Sequence, residues 1–175
     1  MEKGLMHLYC GDGKGKTTAA AGLAVRAAGC GLRVIFAQFM KGSGSGEITA
    51  MKEIPGITVM RNGKNYGFYH QMSGQDKDEI AAEQDAMLAD IIKSINRKEC
   101  DMLILDEITY AYDYGLVCRE TVERLVKNRP EGLELVITGR NPARLFSDAA
   151  DYITEMKCLR HPYEKGIAAR KGVEY

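Results

Sequence analysis

A glycine-rich turn between an apolar run and a segment of small residues constrains this chain more than any other feature. Residues 9–18 read YCGDGKGKTT. Alternating glycines let backbone N–H groups close around a compact anion, because no side chain intrudes. A helix that begins at the end of the turn adds its unpaired amides and the positive end of its dipole. The pattern therefore predicts a strand, a phosphate-binding loop and a helix, in that order.

The side chains of this loop have distinct expected roles. Lys16 supplies a mobile charge for the outer phosphates of a nucleotide, and the hydroxyl of Thr17 is suited to ligate Mg²⁺. The spacing departs from the usual G-x-x-x-x-G-K-[ST], because its first glycine falls one position late, at Gly11. The competing interpretation is a glycine-rich turn without a ligand. The residues expected to bind the nucleotide are Gly11, Asp12, Gly13, Lys14, Gly15, Lys16, Thr17 and Thr18.

Length and composition exclude several classes of protein. The 175 residues fit one nucleotide-binding domain, 1–175, and the 24 basic and 24 acidic residues balance, so we expect no nucleic-acid partner. No signal peptide or run of membrane-spanning length is visible, and we expect a cytoplasmic protein without a membrane partner. The five cysteines form no C-x-x-C pair, so neither a zinc site nor a disulfide framework is expected.

Apolar runs alternate with amphipathic segments along the whole chain. The predicted strands are 5–10, 33–40, 57–61, 102–105, 133–138 and 152–157, and the predicted helices are 17–28, 47–53, 76–97, 119–128 and 143–149. This alternation predicts an α/β fold with three layers, in which helices cover both faces of a mostly parallel sheet, as in P-loop NTPases. Ligands of such folds bind outside the carboxyl ends of the strands.

Polar residues follow two further predicted strands and are expected to share that crevice. Asp106 and Glu107 are candidate ligands of a nucleotide-bound Mg²⁺, although an acidic pair can also simply start a helix. Arg26 and Arg140 can clamp phosphate, but an ordinary surface arginine is the alternative. Residues 62–75 have the polar, aromatic composition of a substrate loop. Taken by themselves, these residues indicate a magnesium-nucleotide enzyme or switch.

The ordered motifs resemble those of the P-loop ATP:corrinoid adenosyltransferases over nearly the whole chain. They are GDGKGKTTAA, VIFAQFMKG, GFYH, LILDEITYAYDYG, KNRPEGLELVITGRN, ADYITEMK and HPYEKGIAARKGVEY. The resemblance implies that a reduced Co(I) corrinoid attacks the 5′ carbon of ATP and expels triphosphate. It also implies that ATP lies in the reverse sense to other P-loop proteins, so that its 5′ carbon faces the nucleophile.

The resemblance further implies roles for individual residues. Lys14, Lys16 and Glu107 would be catalytic, with Mg²⁺ held near Thr17 and Glu107 and the leaving triphosphate stabilised by the lysines and loop amides. Arg26 matches a family arginine near ATP, and Arg140 matches the arginine of the TGR motif. Residues 161–175 would close over the nucleotide.

On the corrinoid side, the family uses a Phe-x-Trp segment to exclude the lower nitrogen ligand of cobalt. Phe68 matches this segment, but His70 stands at the tryptophan position, where it can approach cobalt or simply cap the loop. Thr109 and Arg170 replace a family asparagine and glutamine. The partners implied are ATP, a reduced corrinoid (cobalamin, cobinamide or cobyrinic acid a,c-diamide), an electron-donor flavoprotein and a second copy in a homodimer. The alternatives are another P-loop Mg-ATP phosphotransferase or a non-catalytic nucleotide- or corrinoid-binding protein.

Overall fold

A single parallel sheet organises the part of the chain that the computed structural model describes, residues 3–42 and 44–174. Ser43 of the predicted loop and Tyr175 of the tail lie outside the described residues. The strands are β1 (Met6–Cys10), β2 (Val34–Gln38), β3 (Ile57–Arg61), β4 (Met102–Asp106), β5 (Glu134–Thr138) and β6 (Tyr152–Glu155). They are ordered β3-β2-β4-β5-β1-β6, and every pairing is parallel.

Helices connect the strands and cover the sheet. They are α1 (Lys16–Gly29), α2 (Gly46–Lys52), α3 (Gly74–Asn96), α4 (Ile108–Asp113), α5 (Arg119–Lys127) and α6 (Arg144–Ala149), with 3₁₀ turns at Tyr69–Gln71 and Pro162–Lys165. None of these described helices is long and apolar enough to cross a membrane.

Two buried clusters lie on opposite faces of the sheet and confirm the predicted three-layer α/β fold. On one face, the alanines of α1 pack with α2 against alternate residues of the strands, including Met102 and Ile104 of β4. On the other, α3, α5 and Phe146 of α6 pack against Leu103 and Leu105 of the same strand. A strand buried on both faces has to be continuously apolar, which explains the composition of β4.

The predicted strands and the five predicted helices are all found, with bounds that differ by a few residues. The structure adds α4, a six-residue helix directly after the acidic pair that the sequence did not predict. Its sequence, ITYAYD, is rich in β-branched and aromatic residues, which have low helix propensity. Burial of Ile108, Thr109 and Ala111 offsets that preference.

Candidate nucleotide site

The phosphate loop follows β1 and is fixed by backbone contacts with two neighbouring strand ends. The amide of Gly11 donates to the carbonyl of Arg140 at 3.0 Å, and the amide of Gly13 donates to the carbonyl of Met156 at 2.7 Å. Gly11 has a φ of 95°, and a Cβ there would collide with the Met156 backbone. A side chain at this position would therefore be strained twice, once by conformation and once by contact.

Lys16 is buried beneath the same loop although it carries a charge. Its Nζ donates to the carbonyl oxygens of Gly11 at 2.7 Å and Gly13 at 2.8 Å, and only 7% of the residue is exposed. Burial lowers the pKa of its ammonium, and the repulsion of Arg140 acts in the same direction. Because two neutral carbonyls are weaker partners than an anion, the ammonium is prepared to bind a phosphate oxygen.

Asp106 ends β4 and is fully buried, and it organises three neighbouring elements. Its Oδ1 accepts from the hydroxyls of Thr17 at 2.9 Å and Thr138 at 2.7 Å, and its Oδ2 accepts from the amide of Gln38 at 3.0 Å. The hydroxyl hydrogen of Thr17 is thus committed to Asp106, which leaves the lone pairs of its oxygen to face outward. Asp106 is therefore better suited to orienting Thr17 than to ligating a cation directly.

Glu107 lies next to Asp106 but has a different environment. Its φ of 61° is a left-handed conformation, and its backbone amide donates to the hydroxyl of Thr138 at 2.9 Å. The side chain lines the cleft, and its carboxylate receives no hydrogen bond from residues 3–42 or 44–174. Burial raises the pKa of this carboxyl group, and the charge of Asp106 raises it further. A partly buried carboxylate without a donor is a good ligand for a cation.

The donor set at this site fits Mg²⁺ bound together with a nucleotide. The described residues contain no cluster of three or more His, Cys, Asp and Glu side chains, so a closed all-protein cage is not offered in that part of the chain. Glu107 and the oxygen of Thr17 provide hard oxygen ligands. Mg²⁺ commonly takes one or two protein ligands and completes its octahedron with phosphate oxygens and water.

The C-terminal tail folds back onto the loop through Lys14. The Nζ of Lys14 donates to the carbonyl of Val173 at 2.8 Å and lies 3.5 Å from Glu174. Glu174 also pairs with Arg170, which replaces the family glutamine, and hydrogen bonds from Arg170 lower the pKa of Glu174 to about 2. The tail therefore adjoins the phosphate loop, and its closure over a bound nucleotide stays a prediction.

Together these elements form a cleft of about 600 Å³ at the carboxyl ends of the strands. A cavity of this size is typical of small-molecule sites. Of the predicted site residues, those that line it are Asp12, Gly13, Lys14, Gly15, Lys16, Thr17, Thr18, Glu107 and Arg140. Gly11 and Asp106 lie beneath the lining and hold Lys16 and Thr17, respectively.

Three predicted site residues are not brought into this cleft. Arg26 is exposed in the last turn of α1, about 15 Å along the helix from Lys16. Phe68 is 79% exposed, and His70 is exposed beside it in a separate loop. Their expected contacts with ATP and corrinoid therefore remain predictions.

An aromatic stack supports the loop that carries Phe68. Tyr69 lies parallel to Tyr114, with ring centroids 4.0 Å apart, and the ring of His70 is nearly perpendicular to both. Tyr114 immediately follows α4, so the stack connects this loop to the segment that begins at Glu107. Phe68 is thereby left projecting into solvent from a supported loop.

Two residues that shape the site were not predicted from the sequence. Gln38 donates to Asp106, and Lys41 lies 3.8 Å from Asp106. One signal was available: Gln38 is an amide within a strand that is otherwise apolar. The sequence identified Thr109 only as a departure from the family. In the structure its side chain packs so closely on Gly139 that a Cβ at residue 139 would collide with it.

Comparison with known proteins decides among the enzyme classes that such a cleft permits. The model of the family described as "ATP:corrinoid adenosyltransferase BtuR/CobO/CobP" matches residues 2–175. The chain belongs to this family. The phosphate loop, the acidic pair and the tail described above therefore belong to an adenosyltransferase.

Curated relatives support the assignment along the whole chain. The corrinoid adenosyltransferase of Escherichia coli K12 is 33% identical over 181 residues, which cover 99% of this chain and 87% of that protein. The corrinoid adenosyltransferase of a Sinorhizobium species is 35% identical over 178 residues, which cover 99% and 81%.

Solved structures of lower similarity show the fold alone. The KaiC-like protein PH0186 of Pyrococcus horikoshii superposes with a TM-score of 0.54 at 13% identity, covering 89% of this adenosyltransferase and 72% of that chain. The cytoplasmic domain of the type VII secretion ATPase EccC of Thermomonospora curvata gives 0.55 at 16% identity, covering 97% and 23%. These neighbours confirm the P-loop NTPase-like architecture.

Proposed function

We propose that this protein transfers the 5′-deoxyadenosyl group of ATP to the Co(I) centre of a reduced corrinoid and releases triphosphate. The observation that carries the proposal is the family match over residues 2–175 in a chain whose cleft is built around a phosphate loop. The cobalt nucleophile forms a bond to the 5′ carbon, and the bond from that carbon to the triphosphate oxygen breaks. The leaving group takes the electron pair of the broken bond.

Stabilisation of the departing triphosphate is the main task of the loop. Lys16 exchanges its carbonyl partners for phosphate oxygens, and Lys14 exchanges Glu174 for the same anion. Loop amides and the N-terminus of α1 add fixed partial charge without reorganisation during the reaction. Arg140, which also lines the cleft, is a further candidate phosphate ligand.

Thr17 and Glu107 are the side chains proposed to hold Mg²⁺, with Asp106 orienting the hydroxyl of Thr17. Magnesium would neutralise charge on the phosphate chain. Because the Glu107 carboxylate lacks a hydrogen-bond donor among the described residues, its ionised form gains most when a cation arrives.

The corrinoid is proposed to bind at the loop that carries Phe68 and His70. The aromatic stack of Tyr69 on Tyr114 supports that role, because it holds the loop in place while Phe68 stays exposed. Cobalamin, cobinamide and cobyrinic acid a,c-diamide are the proposed substrates. An electron-donor flavoprotein and a second copy of the chain are the proposed partners.

An anaerobic assay with Mg-ATP and chemically reduced cob(I)alamin or cobinamide tests the proposal. Loss of the Co(I) absorption with formation of a light-sensitive adenosylcorrinoid is the expected result. Lys16→Ala should lower the rate at least about 10²-fold, as for loss of one preorganised charge donor. Lys93→Ala, a matched change at an exposed lysine on α3, should leave the rate unchanged. ATP binding without adenosylcorrinoid, or phosphoryl transfer instead, would contradict the proposal.

A further inference from the structure

Lys41 enters the nucleotide cleft by a route that the sequence does not reveal. It follows Met40, whose φ of 61° is a left-handed conformation that a non-glycine residue rarely adopts. This turn lies just beyond β2, where the amide of Phe39 still donates to the carbonyl of Asp106. The chain therefore turns sharply at the carboxyl end of the sheet, and Lys41 lines the cleft.

The ammonium of Lys41 lies beside the oxygens expected to surround a divalent cation. Its Nζ donates to the oxygen of Thr17 at 3.4 Å and lies 3.8 Å from Oδ2 of Asp106. Because the hydrogen of the Thr17 hydroxyl points to Asp106, the ammonium faces the lone pairs that a metal ion would use. Its charge also favours the ionised form of Glu107. The ammonium of Lys41 thus lies beside Thr17, one of the two residues proposed to hold Mg²⁺, and beside Asp106, which orients the hydroxyl of Thr17.

The backbone of Lys41 is anchored, whereas its side chain can move. The carbonyl of Lys41 accepts from Nη2 of Arg61 at 3.0 Å, and Gly42 packs so closely on Lys64 and Asn65 that no Cβ fits there. In contrast, the side chain is 40% exposed, and its bonds to Thr17 and Asp106 are long. Rotation of the side chain is therefore the easiest way to remove its charge from this place.

We infer that Lys41 is a positioning residue whose ammonium stands in for the divalent cation in the nucleotide-free protein and excludes free Mg²⁺ from Thr17, Asp106 and Glu107. Two cations cannot share these oxygens, because their repulsion is strong where water is partly excluded. Magnesium bound to ATP brings phosphate negative charge, to which the displaced ammonium can turn. The cation then enters with the nucleotide and not before it. This inference rests on the proposed Mg-ATP site but not on corrinoid chemistry.

Thermal unfolding with Mg²⁺ alone, in the absence of nucleotide, tests the inference. About 5 mM Mg²⁺ should leave the Tm of the wild-type protein unchanged and raise that of Lys41→Met by about 3 °C, the shift expected for a site with submillimolar affinity. Lys41→Arg, which retains the charge, should behave like the wild type. Lys14→Met is the matched control, because it removes one lysine charge from the same cleft without freeing Thr17 or Asp106.

The outcomes separate this inference from the proposed function. An equal Mg²⁺ shift in wild type and Lys41→Met, no shift in either, or the same shift in Lys14→Met would overturn the role of Lys41. Those results would leave adenosyl transfer intact. Failure of the wild-type protein to bind Mg-ATP or to form adenosylcorrinoid would instead overturn the proposed function.

Discussion

The two ends of strand β4 carry acidic residues with opposite properties. At the amino end, Asp101 accepts hydrogen bonds from the backbone amide, Nε and Nη2 of Arg33, and these contacts lower its pKa to about 2. At the carboxyl end, burial and the neighbouring Asp106 raise the pKa of Glu107. The first carboxylate stabilises the folded chain in its ionised form, whereas ionisation of the second costs stability.

The same contrast holds between the amino ends and the carboxyl ends of the other strands. At the amino ends, Glu134 accepts from the amide of Leu5 and contacts His7, and Asp151 accepts from the amide of Met6. At the carboxyl ends, Lys16 is buried against neutral carbonyls and Glu107 lacks a donor among the described residues. The carboxylates named at the amino ends have hydrogen-bond donors, whereas Lys16 and Glu107 at the carboxyl ends lack a partner of opposite charge within hydrogen-bond distance among the described residues.

The largest effect should follow from replacing the less satisfied carboxylate. We expect Glu107→Gln to lower the rate of adenosyl transfer about 10²–10³-fold, the cost of losing one preorganised charged group. The same substitution should raise the Tm of the nucleotide-free protein, because ionised Glu107 is destabilising at neutral pH. Parallel rate measurements and thermal unfolding check this prediction, and a lower Tm would show that Glu107 is structural.

The matching change at the other end of the strand should have the reverse signature. We expect Asp101→Asn to destabilise the protein by about 1 kcal/mol, which is reduced from the value of a buried charged pair because Arg33 is half exposed. For a chain of this length, the Tm falls by about 2–4 °C. The rate of adenosyl transfer should stay at the wild-type value, and a substantial loss of activity would mean that the two ends are not independent.

Lowering the pH should reduce both differences in stability from the wild type, although Asp101→Asn is less stable and Glu107→Gln is more stable at neutral pH. The contribution of Asp101 is present above its ordinary pKa of about 4 and is lost as the pH falls through about 2. The penalty of Glu107 is complete above its raised folded pKa and disappears below the ordinary pKa of about 4. Urea unfolding of both variants from about pH 7 to about 3 should therefore show a deficit for Asp101→Asn and a gain for Glu107→Gln that both shrink. Differences independent of pH would contradict the electrostatic origin.

The smallest effect is expected at Glu134. Glu134→Gln keeps one oxygen acceptor for Leu5 but removes the charge near His7, so we expect a loss of at most about 1 kcal/mol. The Tm should fall by no more than about 4 °C, and adenosyl transfer should be unaffected. A change in the apparent affinity for ATP would show that the amino end of the sheet influences the cleft.

The sequence predicts the sheet and the phosphate loop because both depend on local patterns. Each of these patterns can be recognised within a few residues of sequence: the apolar runs, the glycines and the acidic pair. The parallel topology then places the phosphate loop and the acidic pair at the same end of the sheet. The left-handed φ of Glu107, the helix α4 and the position of Lys41 could not be predicted, because tertiary packing decides them. The family resemblance implies that Arg26 lies near ATP. Its exposed position on α1 does not provide a structural reason for that contact.

Phosphorus NMR of the nucleotide product tests the central claim most directly. The protein would be incubated anaerobically with Mg-ATP and an excess of reduced cobinamide. We predict intact triphosphate in an amount equal to the adenosylcobinamide formed, and no triphosphate when the corrinoid is omitted. Diphosphate or inorganic phosphate as the principal product, or triphosphate formed without the corrinoid, would contradict the assignment of the phosphate loop to a leaving triphosphate.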